Sequence, residues 1–121
     1  MARPEVVLAR RRAERVELLR RAERFATSLQ ADRAVSALVV YGSVARGDFN
    51  LWSDVDVLVV TEDLPERLLD RLDLMAARPA RVQAIAWTPS EWRKRLHRGD
   101  PIATEAAASG VWLVGRPGDL A

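Results

Sequence analysis

The stretch from residue 41 to residue 60 constrains this chain more than any other. An apolar run at 35–41, Val-Ser-Ala-Leu-Val-Val-Tyr, ends at Gly42-Ser43. A short polar segment follows, and a second apolar run then opens with two aspartates one residue apart, Asp54-Val55-Asp56. Both runs are rich in β-branched residues and read as buried strands. On a strand, residues two apart share a face, so Asp54 and Asp56 are expected to point together, about 7 Å apart at their α-carbons.

Two ionised carboxylates at the mouth of a core strand are costly to desolvate without a counter-charge. Mg²⁺ bound with a triphosphate supplies one, because it takes one or two carboxylates together with phosphate oxygens. Taken alone, Asp-x-Asp more often simply opens a strand. Gly42-Ser43 changes the balance. A glycine at a strand end, before a helix start, lets backbone N–H groups approach an anion. Ser43 adds a hydroxyl, and Arg46, one turn on, reaches the same charge. No Gly-Lys-Ser/Thr follows, so this is not a Walker loop. An anion cradle and paired carboxylates at the ends of adjacent strands together describe a metal-nucleotide site.

The rest of the composition narrows the setting. The chain has 121 residues, 49% hydrophobic and 30% charged, which suits one soluble globular domain over 1–121. With no cysteine and a single histidine, His97, disulfides, thiolate metal sites and multi-histidine zinc sites are excluded. No apolar stretch approaches the roughly 20 residues of a membrane span. No signal-peptide layout opens the chain, so a cytoplasmic protein is expected. Residues 1–24 carry eight arginines against four glutamates on a chain of net charge +2. A basic segment attracts nucleic acid or an acidic partner. The plainer reading is a solvated helix with pairs such as Arg10/Glu14 and Glu17/Arg21, since no aromatic set is interleaved for bases to stack on.

The three-, four- and seven-residue spacing of Leu8, Arg15, Leu18, Ala22, Phe25 and Leu29, apolar except at Arg15, predicts a long helix over 4–30, packed by its C-terminal half. Strands follow at 35–41 and 54–60, with a short helical turn from Ser43 between them. Pro65 opens a helix to about Arg78, with Leu68, Leu69, Leu72 and Met75 on its inner face. A third strand is expected at 81–87. Thr88 and Glu91 form a capping box for a helix to about Arg98. A further helix at 101–109 and a last strand at Val111–Val114 complete the pattern. The 34–115 core is therefore an α/β (α+β) domain with a small mixed sheet of about four strands. Trp87, Trp92 and Trp112 read as packing residues, Trp52 lies in the motif loop, and His97 complements a helix C-terminus.

Gly42-Ser43-Val44-Ala45-Arg46-Gly47-Asp48, followed by Ser53-Asp54-Val55-Asp56-Val57, resembles the signature of the polymerase-β-type nucleotidyltransferase superfamily. It is most similar to the minimal nucleotidyltransferases, which consist of the catalytic domain alone. The resemblance implies that Asp54 and Asp56 are metal ligands and catalytic. It makes Gly42 and Ser43 the triphosphate binders, supported by Arg46 and Ser53. It implies Mg²⁺ or Mn²⁺ as cofactor, an NTP such as ATP as substrate, and transfer of a nucleoside monophosphate to a hydroxyl. It also implies a small all-helical partner of the HEPN type in a toxin–antitoxin-like pair, with the basic first helix, Arg10-Arg11-Arg12 especially, as a contact surface. A homo-oligomer and a nucleic-acid partner are weaker expectations.

The match breaks at one position. The family's third carboxylate sits on the next core strand, where this chain has Gln83. Glutamine offers a carbonyl oxygen to a cation but accepts no proton. Three explanations stay open: the strand has another register, although Arg81 and Ala84 offer no carboxylate either; an acid from elsewhere, such as Glu105 or one on a partner, completes the site; or the protein is a degenerate nucleotide-binding module that regulates a helical partner.

Overall fold

The protein is described by a computed structural model covering residues 3–76 and 78–121. Its elements run α1 (Pro4–Asp32), β1 (Ala37–Tyr41), α2 (Ser43–Arg46), β2 (Val55–Val60), α3 (Leu68–Leu74), β3 (Val82–Trp87), α4 (Pro89–His97), α5 (Pro101–Ser109) and β4 (Val111–Val114), with a closing 3₁₀ turn at Pro117–Leu120. This is the expected α+β order. Asp54 lies one residue ahead of β2 rather than inside it.

The strands form one mixed sheet in the order β3-β2-β1-β4. β1 runs antiparallel to both β2 and β4, whereas β2 and β3 are parallel, joined by a crossover that contains α3. Alternation along the strands separates two cores. Leu38, Val40, Val55, Val57, Val59 and Ala86 meet Leu18, Ala22, Phe25 and Leu29 of α1. On the opposite face Val39, Leu58, Val60 and Trp87 meet Trp92 of α4 and Ala103 and Ala106 of α5. Trp92 stands edge-on to Trp112 at 5.6 Å, so three of the four tryptophans are packing residues as expected. Among the described residues no helix is long and apolar enough to cross a membrane.

The periodic stripe on α1 holds for its C-terminal half and fails for the first half, where Leu8 is exposed. Glu17 pairs with Arg21 at 3.6 Å, as its spacing predicts. The capping box also forms: Thr88 Oγ1 accepts from Glu91 N at 3.1 Å, and Thr88 N donates to Glu91 Oε1 at 2.8 Å.

α3 departs from expectation. It is shorter than 65–78, and Ala77 of the expected helix lies outside the described residues. Leu68, Leu69 and Leu72, expected inside, are 60%, 67% and 59% exposed, while Met75 and Arg71 are buried. The cause is Arg71. Its guanidinium donates to Pro65 O at 2.7 Å, to Ala86 O at 3.1 Å and to Glu91 Oε1 at 2.7 Å. Those bonds turn the arginine side of the helix toward the sheet, and the leucines face outward. Burial raises the Glu91 carboxyl, but bonds from Arg71 and the Thr88 backbone outweigh that and hold it below the ordinary glutamate value.

Removing one partner of a buried ion pair leaves the other uncompensated, so Arg71→Ala should cost about 3 kcal/mol, the low end of the range because Glu91 keeps part of its side chain in water. Leu69→Ala and Leu72→Ala should stay within about 0.5 kcal/mol of wild type, as surface changes do. Glu91, with its lowered folded pKa, contributes stability at neutral pH that is lost as the pH falls through that folded value. Chemical denaturation of the three variants at pH 7, and of wild type against pH, checks all of this.

Candidate active site

The antiparallel pairing of β1 and β2 places Tyr41 opposite Asp56, and the parallel pairing of β2 and β3 places Asp56 beside Gln83. Tyr41, Asp56 and Gln83 therefore form a row across three strands on the α4/α5 face of the sheet. The position aligned with a third carboxylate is structurally adjacent to Asp56 and carries an amide. Gln83 Nε2 lies 3.4 Å from Asp54 Oδ2, which puts Asp54 at the same end of the sheet.

Gly42 follows directly from β1. Its backbone has φ 78° and ψ −155°, a region open essentially to glycine alone. A Cβ there would meet Asp56 Oδ2 at 2.6 Å. Both constraints require glycine, and both bring the cradle backbone against the carboxylate. α2 then begins at Ser43, and a first helical turn leaves amides without intrahelical acceptors. Gly42, Ser43, Asp54, Asp56 and Gln83 thus converge at one end of the β1–β2–β3 surface.

The electrostatics of this corner are negative. Burial raises the Asp56 carboxyl above its ordinary value, with Asp54 and Glu105 adding to the effect and Arg46 opposing it. Burial, then Asp56, Glu105 and Asp100, push the Tyr41 hydroxyl up to about 12, so it stays protonated. Arg46 donates to Asp48 Oδ2 at 3.1 Å and to Glu105 Oε1. Glu105 Oε1 also accepts from Gly42 N at 3.2 Å. Glu105 therefore stands at the cradle rather than among the Asp54–Asp56 pair.

Ser53 is placed differently. Its hydroxyl accepts from Asn50 N at 2.9 Å and its carbonyl accepts from Arg81 Nη2. It shapes the loop ahead of Asp54. Several residues that hold the site were not singled out by motif reading. Arg11 donates to Phe49 O at 2.7 Å and Gly47 O at 3.2 Å, and Arg15 donates to Val44 O at 2.9 Å and Ala45 O at 3.2 Å. Arg81, itself at φ 66°, ties Leu51 O and Ser53 O to the start of β3. Helix α1 is thereby fastened to the loop between the cradle and the aspartates. Of its basic cluster, Arg11 serves this fastening, while Trp52 stands 89% exposed on the loop's outer side.

The donor set suits a hard cation. Asp54 and Asp56 carry carboxylate oxygens and Gln83, whose Nε2 donates to Asp54, carries an amide, without a soft ligand. Among the described residues no group of three or more His, Cys, Asp or Glu could hold a metal alone. A cation held by these side chains would need further oxygens, and Mg²⁺ is a cation that takes one or two carboxylates together with phosphate oxygens.

A family model of the nucleotidyltransferase domain matches residues 22–101, more than half of the chain and the whole of the corner just described except Glu105. The fold is also that of a crystal structure of a Sulfolobus solfataricus protein provisionally described as a nucleotidyltransferase. The two align with a TM-score of 0.66 and 20% identity over 84% of each chain. No curated protein matches the sequence.

Two substitutions should move stability in opposite directions. Gly42→Ala combines a backbone penalty of about 1–3 kcal/mol with the Asp56 clash and should lower the melting temperature. Asp56→Asn should raise it in metal-free protein. A carboxyl whose folded pKa is raised costs stability once ionised, so this gain should be present at pH 8 and vanish as the pH falls below both Asp56 pKa values. Thermal melts in chelator at the two pH values provide the check.

Proposed function

The chain belongs to the nucleotidyltransferase domain family, and from that membership we propose that it is a Mg²⁺- or Mn²⁺-dependent enzyme that transfers a nucleoside monophosphate from an NTP, such as ATP, to a hydroxyl acceptor. The observation that carries the reading is the approach of Gly42 to Asp56. It brings the backbone at the start of α2 against a carboxylate, which supports a shared site for phosphate and metal. The backbone amides of Gly42 and Ser43 bind the triphosphate, Asp54 and Asp56 hold divalent metal, and Arg46 meets phosphate charge. When bound, the metal supplies a counter-charge for the pyrophosphate leaving group and activates the acceptor oxygen. The Gly42 and Ser43 amides keep the triphosphate oriented while transfer occurs.

Gln83 bears on the rate. In the row Tyr41–Asp56–Gln83, Asp56 is the one ionisable group able to take a proton, because Tyr41 is held protonated and the amide is inert. The amide still offers a carbonyl oxygen to the cation, so binding suffers less than turnover. This favours a second reading, a degenerate Mg-nucleotide-binding module that regulates a partner.

We also propose, from the resemblance in the motif, a small helical HEPN-type partner in a two-component, toxin–antitoxin-like pair in the cytoplasm. Exposed Val6, Val7 and Leu8 on α1 and Leu51 and Trp52 on the motif loop support a protein contact on that side.

Incubation with α-labelled NTPs and Mg²⁺ or Mn²⁺, with and without a helical partner protein, separates the two readings. Label transfer that Asp54→Ala abolishes and Gln83→Asp accelerates by about 10²-fold, the contribution of a positioned general base, is the expected result. No transfer by wild type under any condition, with gain in Gln83→Asp, would establish the regulatory module instead.

A further inference from the structure

Two of the three groups assigned to phosphate are already engaged. Gly42 N and Arg46 Nη1 donate to the same oxygen, Oε1 of Glu105. One carboxylate oxygen thus takes a backbone N–H and a guanidinium N–H together, the donor pair that a phosphate oxygen would use. Glu105 projects from α5, whose Ala103 and Ala106 are buried against the sheet and whose first turn is capped by Asp100 Oδ1, accepting from Ile102 N at 2.9 Å and Ala103 N at 3.1 Å. The helix is packed on the sheet, while the glutamate side chain is partly exposed at its edge.

The surrounding charge decides what can replace it. Arg46 faces both Glu105 and Asp48, Asp56 stands against Gly42, and the charge of Asp54 acts on Asp56. Among the described residues, carboxylates outnumber guanidinium groups around the cradle. A bare monophosphate offers the cradle the same contact that Glu105 makes and adds negative charge. A polyphosphate carrying divalent cations brings charge compensation to Asp54 and Asp56 as well as an oxygen for Gly42 N and Arg46.

We infer that Glu105 is a specificity-determining residue of the cradle: its carboxylate stands in for a phosphate on Gly42 and Arg46 and yields to a metal-loaded polyphosphate, but not to monophosphate or inorganic phosphate. The inference rests on the nucleotide reading of the site. It gives Glu105 a role distinct from that of a third metal ligand. It also makes binding of the nucleotide an exchange, in which the glutamate leaves as the phosphate arrives.

Calorimetric titration of wild type, Glu105→Gln and Asp54→Ala with Mg-ATP, metal-free tripolyphosphate and inorganic phosphate tests it. Glutamine keeps an acceptor for Gly42 N but removes the charge that holds Arg46. Wild type should bind Mg-ATP and ignore inorganic phosphate. Glu105→Gln should bind metal-free tripolyphosphate about tenfold more tightly than wild type, the equivalent of one charge-assisted hydrogen bond no longer displaced. Unchanged or weaker tripolyphosphate binding in Glu105→Gln, with Mg-ATP binding still lost in Asp54→Ala, would overturn the inference and leave the nucleotide reading standing. No Mg-ATP binding by wild type or Glu105→Gln would overturn both. If Glu105→Gln folds poorly, NMR of wild type decides. The Gly42 amide and the Glu105 carboxyl carbon should shift together on adding Mg-ATP, and a stationary Glu105 beside a moving Gly42 would overturn the inference.

Discussion

The antiparallel pairing of Ala37–Tyr41 with Val55–Val60 is the constraint on which the rest depends. It sets Tyr41 against Asp56, so the chain leaves one strand and enters the other at the same end of the sheet. Everything between residues 42 and 54 must then fold over that end. The glycine at 42 exists because the backbone there passes too close to the Asp56 carboxylate for any side chain, in a conformation that other residues resist. The price is a partly buried carboxyl that is harder to ionise, a cost that falls on stability and leaves a place for positive charge.

A loop of this kind needs outside support, and arginines supply it. Arg11 and Arg15 reach from α1 to carbonyls at 44, 45, 47 and 49, and Arg81 reaches back from the start of β3 to those at 51 and 53. Arg71 does the same for the crossover after β2. Guanidinium suits the task because its several donors satisfy two or three carbonyls at once from a fixed plane. The arginine-rich composition is therefore in part a backbone-satisfying device, and the charge of the first helix is not simply a solvated face or a free contact surface.

That device marks the limit of what the sequence makes legible. Strands were readable because buried β-branched runs are local signals, and Thr88 with Glu91 was readable because both halves of a capping box lie within one turn. Gln83, the neighbour of Asp56 on the third strand, was readable through the family resemblance, which sets a third carboxylate on the next core strand, and the register places it there. The face of α3 was not readable. Its leucines have helical spacing, and only the distant carbonyl of Ala86 and the Glu91 carboxylate explain why Arg71 turns inward. Glu105 is similar: its bond to Gly42 joins residues far apart in the chain and leaves no spacing pattern.

The central claim is that Gly42-Ser43 and Asp54-x-Asp56 form one nucleotide site. The most direct test is a crystal structure of the protein with Mg²⁺ and a non-hydrolysable ATP analogue. The account predicts the triphosphate on the Gly42 and Ser43 amides, cation density against Asp54 and Asp56, and Glu105 withdrawn from Arg46. Nucleotide bound at another surface, with both aspartates free of metal and Glu105 still on Gly42, would contradict it.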